Sequence, residues 1–353
     1  MKVGLIGCGG IAPVHLRAYK MRRDIQVVGL CDLNLARAKN LGNRFGVEKT
    51  FTDYWNLLEG EKPELVDICT PVSTHARIVC DVAKAVPAIL VEKPMALNVE
   101  QCDAMIEEVE KRGTKLCIGH AQIFSPNIMK AKALVDSGRF NLLSFETVQK
   151  ESFELLKSHD LAPAWNVAPD QRGVIWEVCS HLAYLQLHFL PNIKEVYAVG
   201  GKVKYPVYDN FGVLLRTESE RFGLIELSWL SNETDIVYEL SDFTGKRLQI
   251  HRDFDYLVEK NEEPTFTVSD AARNFFVEEG RILRKWTRLG MSYFRGRRTL
   301  PVVNLINTYL NCIKNDLPPP VTPEDGRNTI SLLEAIQKSL DNRQPVKVDI
   351  VRK

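Results

Sequence analysis

The feature that most constrains this chain lies in its first twelve residues. An apolar run at 3–6 passes directly into Gly7-Cys8-Gly9-Gly10-Ile11-Ala12, and a helical pattern follows. Gly7 permits a tight strand-to-helix turn, Gly9 lets backbone approach a ligand with no Cβ between, and Ala12 lets the helix pack close to the strand. The helix then presents unpaired N–H groups and the positive end of its dipole to a negatively charged ligand. Asp32 follows the next apolar run, 26–31, twenty residues beyond Ala12. An acid at that spacing is placed to bond ribose hydroxyls, so Gly7, Cys8, Gly9, Gly10, Ile11 and Asp32 read as a dinucleotide site. The charge of Asp32 disfavours a 2′-phosphate and so favours NAD. Arg37 stands close enough in sequence to accept such a phosphate, which leaves NADP open.

Short apolar runs alternate with amphipathic stretches through the first 120 or so residues, as in βαβ units on a parallel sheet. Strands are expected at 3–6, 26–31, 65–69, 88–91 and 115–118. A helix is expected to start at Asn98, with Gln101 placed for a capping box, and to stop near Gly113. Past residue 140 or so the pattern changes. Strands at 142–151, 195–203, 212–217, 223–230, 236–240 and 247–251 lie close together, joined by turns such as Thr244-Gly245-Lys246, which predicts an antiparallel sheet. A long helix over 173–190 interrupts the series. Three more follow over 269–289, 302–315 and 324–342, the last two separated by Pro318-Pro319-Pro320. The fold class is therefore α/β. A doubly wound Rossmann sheet occupies 1–121, and an α+β domain occupies 122–353, its last helices able to pack back on the first domain.

Composition removes several alternatives. A chain of 353 residues that is 45% hydrophobic and 26% charged has apolar material for a core in each half. A net charge of +1 argues against nucleic acid as a general partner. No signal-peptide pattern and no apolar run of bilayer length is present, so no integral membrane segment is expected. The eight cysteines make no C-x-x-C pair, and several lie in apolar runs, so no metal site is expected. Buried thiols point to a reducing compartment, the cytoplasm.

Three further pieces complete a pattern: Thr70-Pro71-Val72-Ser73-Thr74-His75, Glu92-Lys93-Pro94, and Glu177-Val178-Cys179-Ser180-His181. With the glycine turn, and in this order, they resemble the Gfo/Idh/MocA oxidoreductases, densest over 3–119 and 173–181. The resemblance implies a large open antiparallel sheet in the second domain, with cofactor and substrate in the cleft between domains. It implies NAD(P)-dependent, reversible oxidation of a secondary hydroxyl on a sugar, polyol or nucleotide sugar. It places Thr70, Pro71, His75 and Glu92 with the cofactor, and it turns Glu177 and His181 into the cleft. It also implies homo-oligomers, dimers or tetramers, that bury one face of the second sheet.

The residues support the same site independently. Ligands of open parallel sheets bind outside the carboxyl ends of the strands, and Pro71 and Lys93 both follow strands. A lysine there can bond the reacting oxygen and stabilise developing negative charge. Glu177 and His181 are four apart and share a helix face. That spacing alone describes a core histidine with an i, i+4 partner; with the resemblance, His181 is read as the base that takes the hydroxyl proton, and Glu177 as orienting it or holding a neighbouring hydroxyl. His15 reads as structural, and His159, His188 and His251 belong to no constellation. Three positions depart from the family pattern: Glu177 where Asp is usual, Gln171-Arg172-Gly173 where glycines are frequent, and Ile123 where Arg is frequent.

Residues 281–298 hold seven Lys or Arg and no acid, beginning as a basic amphipathic helix. A solvated face or a partner's acidic patch is the plain reading. A nucleotide-diphosphate sugar or an anionic membrane surface are the alternatives. Two competitors to the dehydrogenase reading follow from the same fold: a redox-neutral, cofactor-assisted glycosidase, and a sensor that binds dinucleotide without chemistry.

Overall fold

A computed structural model describes residues 1–158, 167, 173–252, 256–260 and 300–351. The helix expected over 269–289, the basic segment 281–298, His159 and Gln171-Arg172 lie outside the described residues.

The N-terminal half is built on β1 (Lys2–Ile6), β2 (Gln26–Cys31), β3 (Thr50–Phe51), β4 (Leu65–Ile68), β5 (Ala88–Val91) and β6 (Lys115–Ile118). All five pairings are parallel, in the order β3-β2-β1-β4-β5-β6. Every residue of β4 and β5 is buried, as expected of strands covered on both faces by helices. Those helices are α1 (Ala12–Lys20), α2 (Leu35–Phe45), α3 (Tyr54–Glu61), α4 (His75–Val82) and α5 (Val99–Arg112). As expected, α5 is capped by Asn98, whose side chain accepts from Gln101 N, and closes on Gly113 at φ 65. The Gln101 side chain reaches one residue further back than a capping box requires, to Leu97 N. Strand order reverses between β1 and β4, and the crevice at their carboxyl ends is where such sheets bind ligands.

After α6 (Pro126–Asp136) the second sheet runs through β7 (Leu142–Ser152), α7 (Phe153–Ser158), α8 (Ser180–Phe189), β8 (Ile193–Gly201), β9 (Asn210–Thr217), β10 (Phe222–Ser228), β11 (Leu230–Asp242), β12 (Arg247–His251) and β13 (Tyr256–Lys260). It ends on β14 (Val346–Lys347), in the order β13-β12-β11-β7-β10-β9-β8-β14. The pairing is antiparallel with one correction: β7 and β10 run parallel. Between them the chain passes through α8 and then approaches from the far side of the sheet, so β7 and β10 meet with the same sense. Gln186 of α8, fully buried, ties the two by donating from Nε2 to Phe145 O and Leu224 O at 3.1 and 2.9 Å.

The last helices, α9 (Leu300–Lys314) and α10 (Pro323–Asn342), return to the N-terminal sheet. The Tyr309 hydroxyl lies 3.0 Å from Ile89 O and 2.6 Å from Lys115 O. Arg327 donates to Asp103 Oδ1 at 2.7 Å. A reciprocal cap between Thr322 and Asp325 starts α10 right after the proline run. One apolar cluster therefore runs from β1 through the second sheet to α10.

Candidate active site

The glycine turn has the shape a diphosphate needs. Gly7 sits at φ +94, and a Cβ on it would lie 2.5 Å from Cys69 O, so β1 and β4 meet here only because residue 7 has no side chain. A Cβ on Gly9 or Gly10 would meet nothing within 4 Å. That open volume faces the start of α1, where Ile11 provides no side-chain cap for the free N–H groups. Asp32 borders the turn: its Oδ2 accepts from Cys8 N and its Oδ1 from Asn34 N, both at 2.8 Å. Arg37 Nη1 is 3.6 Å from Asp32 Oδ2 and largely exposed. The donors, the open volume and the oriented carboxylate together fit a dinucleotide.

The turns after β4 and β5 are joined from behind. His75 is buried, with Nδ1 2.9 Å from Pro94 O and Nε2 2.8 Å from Thr70 O. Burial pulls its pKa down. Thr74 Oγ1 lies 2.8 Å from both Thr70 Oγ1 and Pro71 O. Glu92 turns inward: Oε1 is 3.0 Å from His15 Nε2, and Oε2 accepts from Lys93 N at 3.2 Å. The other ring nitrogen of His15 is 2.8 Å from Asp67 Oδ2, which also accepts from the Tyr19 hydroxyl at 2.8 Å. Burial opposes charge on His15, but Asp67 and Cys69 prevail and hold its pKa well above the ordinary value. His15, Asp67 and Cys69 bring ligand-type atoms within 4.8 Å of one another, and hydrogen bonds among them already satisfy that cluster.

Lys93 and Glu177, from the two halves of the chain, come together. Lys93, only 11% exposed, places Nζ 3.1 Å from Glu177 Oε1 and 3.2 Å from Glu177 O. The expected α-helix here begins as a π-helical turn, Ile175–Cys179, before α8, a widening often found at functional sites. The i, i+4 spacing placed Glu177 beside His181; the described contacts give its carboxylate to Lys93 instead. His181 Nδ1 is buried and has no partner among the described residues. Burial, then the charges of Lys93 and Arg252, hold its pKa well below the ordinary value.

His120 was not singled out by the sequence reading. It is 2% exposed, stacks on Tyr184 with centroids 4.2 Å apart, and has no partner on either ring nitrogen among the described residues. Burial and the charge of Lys93 push its pKa down to about 3. The signal for it existed: His120 stands just past the end of β6, on the same carboxyl edge as Pro71 and Lys93.

Two family models together match most of the chain. Residues 1–120 match an oxidoreductase family with an NAD-binding Rossmann fold, and 128–251 match the GFO/IDH/MocA C-terminal domain. The chain belongs to the Gfo/Idh/MocA oxidoreductases. Among Gfo/Idh/MocA relatives, the myo-inositol 2-dehydrogenase of Thermotoga maritima is 26% identical, covering 99% of each chain. The D-apiose dehydrogenase of Paraburkholderia graminis is 23% identical over 95% of this chain and 86% of its own. The WlbA dehydrogenase of Bordetella pertussis, solved with NADH and UDP-GlcNAcA, shares the fold at a TM-score of 0.82 and 19% identity, covering 99% of this chain and 98% of its own.

Proposed function

We propose that this Gfo/Idh/MocA chain is an NAD-dependent dehydrogenase that oxidises a secondary hydroxyl of a sugar, polyol or nucleotide sugar. One observation carries the reading. Lys93, on the carboxyl edge of the parallel sheet that also carries the glycine turn, pairs with Glu177, one helical turn before a His181 with an unpartnered ring nitrogen. The chemistry NAD supplies when bound is hydride acceptance. His181 takes the hydroxyl proton, and Lys93 donates a hydrogen bond to the reacting oxygen, whose charge it stabilises. Glu177 holds Lys93 in place and is near enough to take a substrate hydroxyl in turn. The names of the relatives support the substrate class, and the carboxylate of Asp32 supports NAD over NADP. The cofactor reading extends to the turn residues Gly7–Ile11, to Thr70, Pro71 and His75, and to Glu92 acting through His15.

Absorbance at 340 nm tests this directly, with NAD or NADP and a panel of polyols, sugars, sugar acids and nucleotide sugars. Cofactor reduction supports the reading. Turnover without net reduction points to the redox-neutral enzyme, and NADH binding without turnover points to the sensor. The pH profile carries a further expectation. Because its surroundings hold His181 neutral well below the ordinary imidazole range, the acid limb of kcat/KM is expected below pH 6.5. Steady-state rates between pH 5 and 9 check it, and a limb centred at 6.5 or above removes His181 as the base.

Further parts of the reading rest on single observations. The division at 121/122 follows the end of the parallel sheet. Eight cysteines without a disulfide fit the reducing cytoplasm, and no described helix is long and apolar enough to cross a membrane. Tyr197, Val199, Leu214 and Phe222 are exposed on β8, β9 and β10, with Tyr197 paired to Leu214 across strands. Such a strip suits a second copy of this chain. Leu214→Lys is expected to shift the sedimentation coefficient toward that of the monomer; a native protein that already sediments as a monomer would overturn self-association.

A further inference from the structure

Three imidazole nitrogens, His120 Nδ1, His120 Nε2 and His181 Nδ1, are shut away from solvent with no partner among the described residues. A buried polar atom without a partner lowers stability, and folds tolerate it mainly where function requires it. His120 is held in a fixed plane. Its ring lies against Tyr184 of α8, tilted only 13°, three residues along the helix from His181. His120 follows β6 and Lys93 follows β5, so both stand on the same carboxyl edge of the parallel sheet, and Lys93 pairs with Glu177 one helical turn before His181.

Burial and Lys93 keep His120 neutral across the whole working range. It offers one N–H and one lone pair, the complement of a hydroxyl group, which both donates and accepts. Lys93 and His181 are already assigned to the reacting oxygen. Resting on the dehydrogenase reading, we propose that His120 is a specificity-determining residue that hydrogen-bonds the hydroxyl on the carbon next to the one oxidised. The substrate class is then a vicinal diol, with one hydroxyl on Lys93 and His181 and its neighbour on His120. Because those nitrogens are shut away from solvent, this role requires the substrate to uncover them on binding.

The test uses the best substrate from the 340 nm panel and its analogue with the neighbouring hydroxyl replaced by hydrogen; for an inositol, the pair is myo-inositol and a deoxyinositol. His120→Phe keeps a flat ring against Tyr184 and removes both nitrogens. The native protein is expected to prefer the diol by roughly 10- to 100-fold in kcat/KM. His120→Phe should lose about that factor on the diol and stay within about twofold on the deoxy analogue, so that discrimination vanishes. NADH binding, followed by fluorescence, should be unchanged. If His120→Phe does not fold, His120→Gln, which retains a donor and an acceptor, should keep part of the preference. Undiminished discrimination in a variant that binds NADH overturns this inference alone, as does a best substrate with no vicinal diol. A native protein that binds NADH yet oxidises nothing in the panel overturns the dehydrogenase reading, and this inference with it.

Discussion

Lys93→Met is expected to lower kcat by about 10³-fold while NADH still binds as it does to the native protein. Methionine keeps most of the lysine stem, so the packing behind the cleft survives and the loss reports on the charge. That charge has two roles. It bonds the oxygen that becomes negative as the proton leaves, and a preorganised donor in a site closed to water contributes far more there than in solution. It also lowers the pKa of His181, which keeps the base unprotonated. A factor of 10³ corresponds to about 4 kcal/mol of transition-state stabilisation. Single-turnover absorbance at 340 nm, with the substrate found in the panel, measures the step free of product release. A variant that retains more than about a tenth of native kcat would show that Lys93 is not in contact with the reacting oxygen. Removing the ammonium also leaves the Glu177 carboxylate without its ion pair, so a small part of any change in thermal stability belongs to that residue.

Gly7→Ala is expected to destabilise the protein by roughly 2–4 kcal/mol and to abolish measurable NADH binding. The added Cβ would lie 2.5 Å from Cys69 O, 2.6 Å from Cys69 C and 2.8 Å from Thr70 N. All three are backbone atoms of the chain leaving β4, so no rotamer change relieves the clash. The backbone of residue 7 is also at φ +94, which L side chains rarely adopt. Relief requires β1 and β4 to separate at the crevice where the diphosphate approaches. Gly9→Ala is the contrasting variant. Its Cβ meets nothing within 4 Å, so it should keep native stability and lose affinity only, because the methyl group enters the open volume. Urea denaturation and NADH fluorescence titration of both variants check this. Equal stability losses for the two would show that the turn does not have this geometry.

Local chemistry made much of this protein readable from its sequence. Backbone chirality makes glycine at 7 a statement about φ, and the period of apolar residues separates buried parallel strands from half-buried antiparallel ones. Asn98 and Gly113 announce the ends of a helix because only a few side chains satisfy or tolerate those positions. The rule that ligands bind at strand carboxyl ends brought out Lys93 without any knowledge of its partners. The same rule applied to β6 reaches His120, but histidine is an ordinary buried residue, and nothing local shows that both of its nitrogens lack partners. Two-residue strands such as β3 and β14 are too short to produce a period.

The tertiary structure alone decided which groups meet. Lys93 and Glu177 are 84 residues apart and pair only because the π-helical turn before α8 packs against the carboxyl edge of the parallel sheet. His15 lies between Asp67 and Glu92, 52 and 77 residues away, so the orientation of the Glu92 carboxylate is set by a residue of α1. The parallel pairing of β7 with β10 depends on the path through α8, which no strand pattern encodes. In each case the residue types were set by the sequence, and their contacts were set by packing between elements distant along the chain, where local propensity carries no distance information.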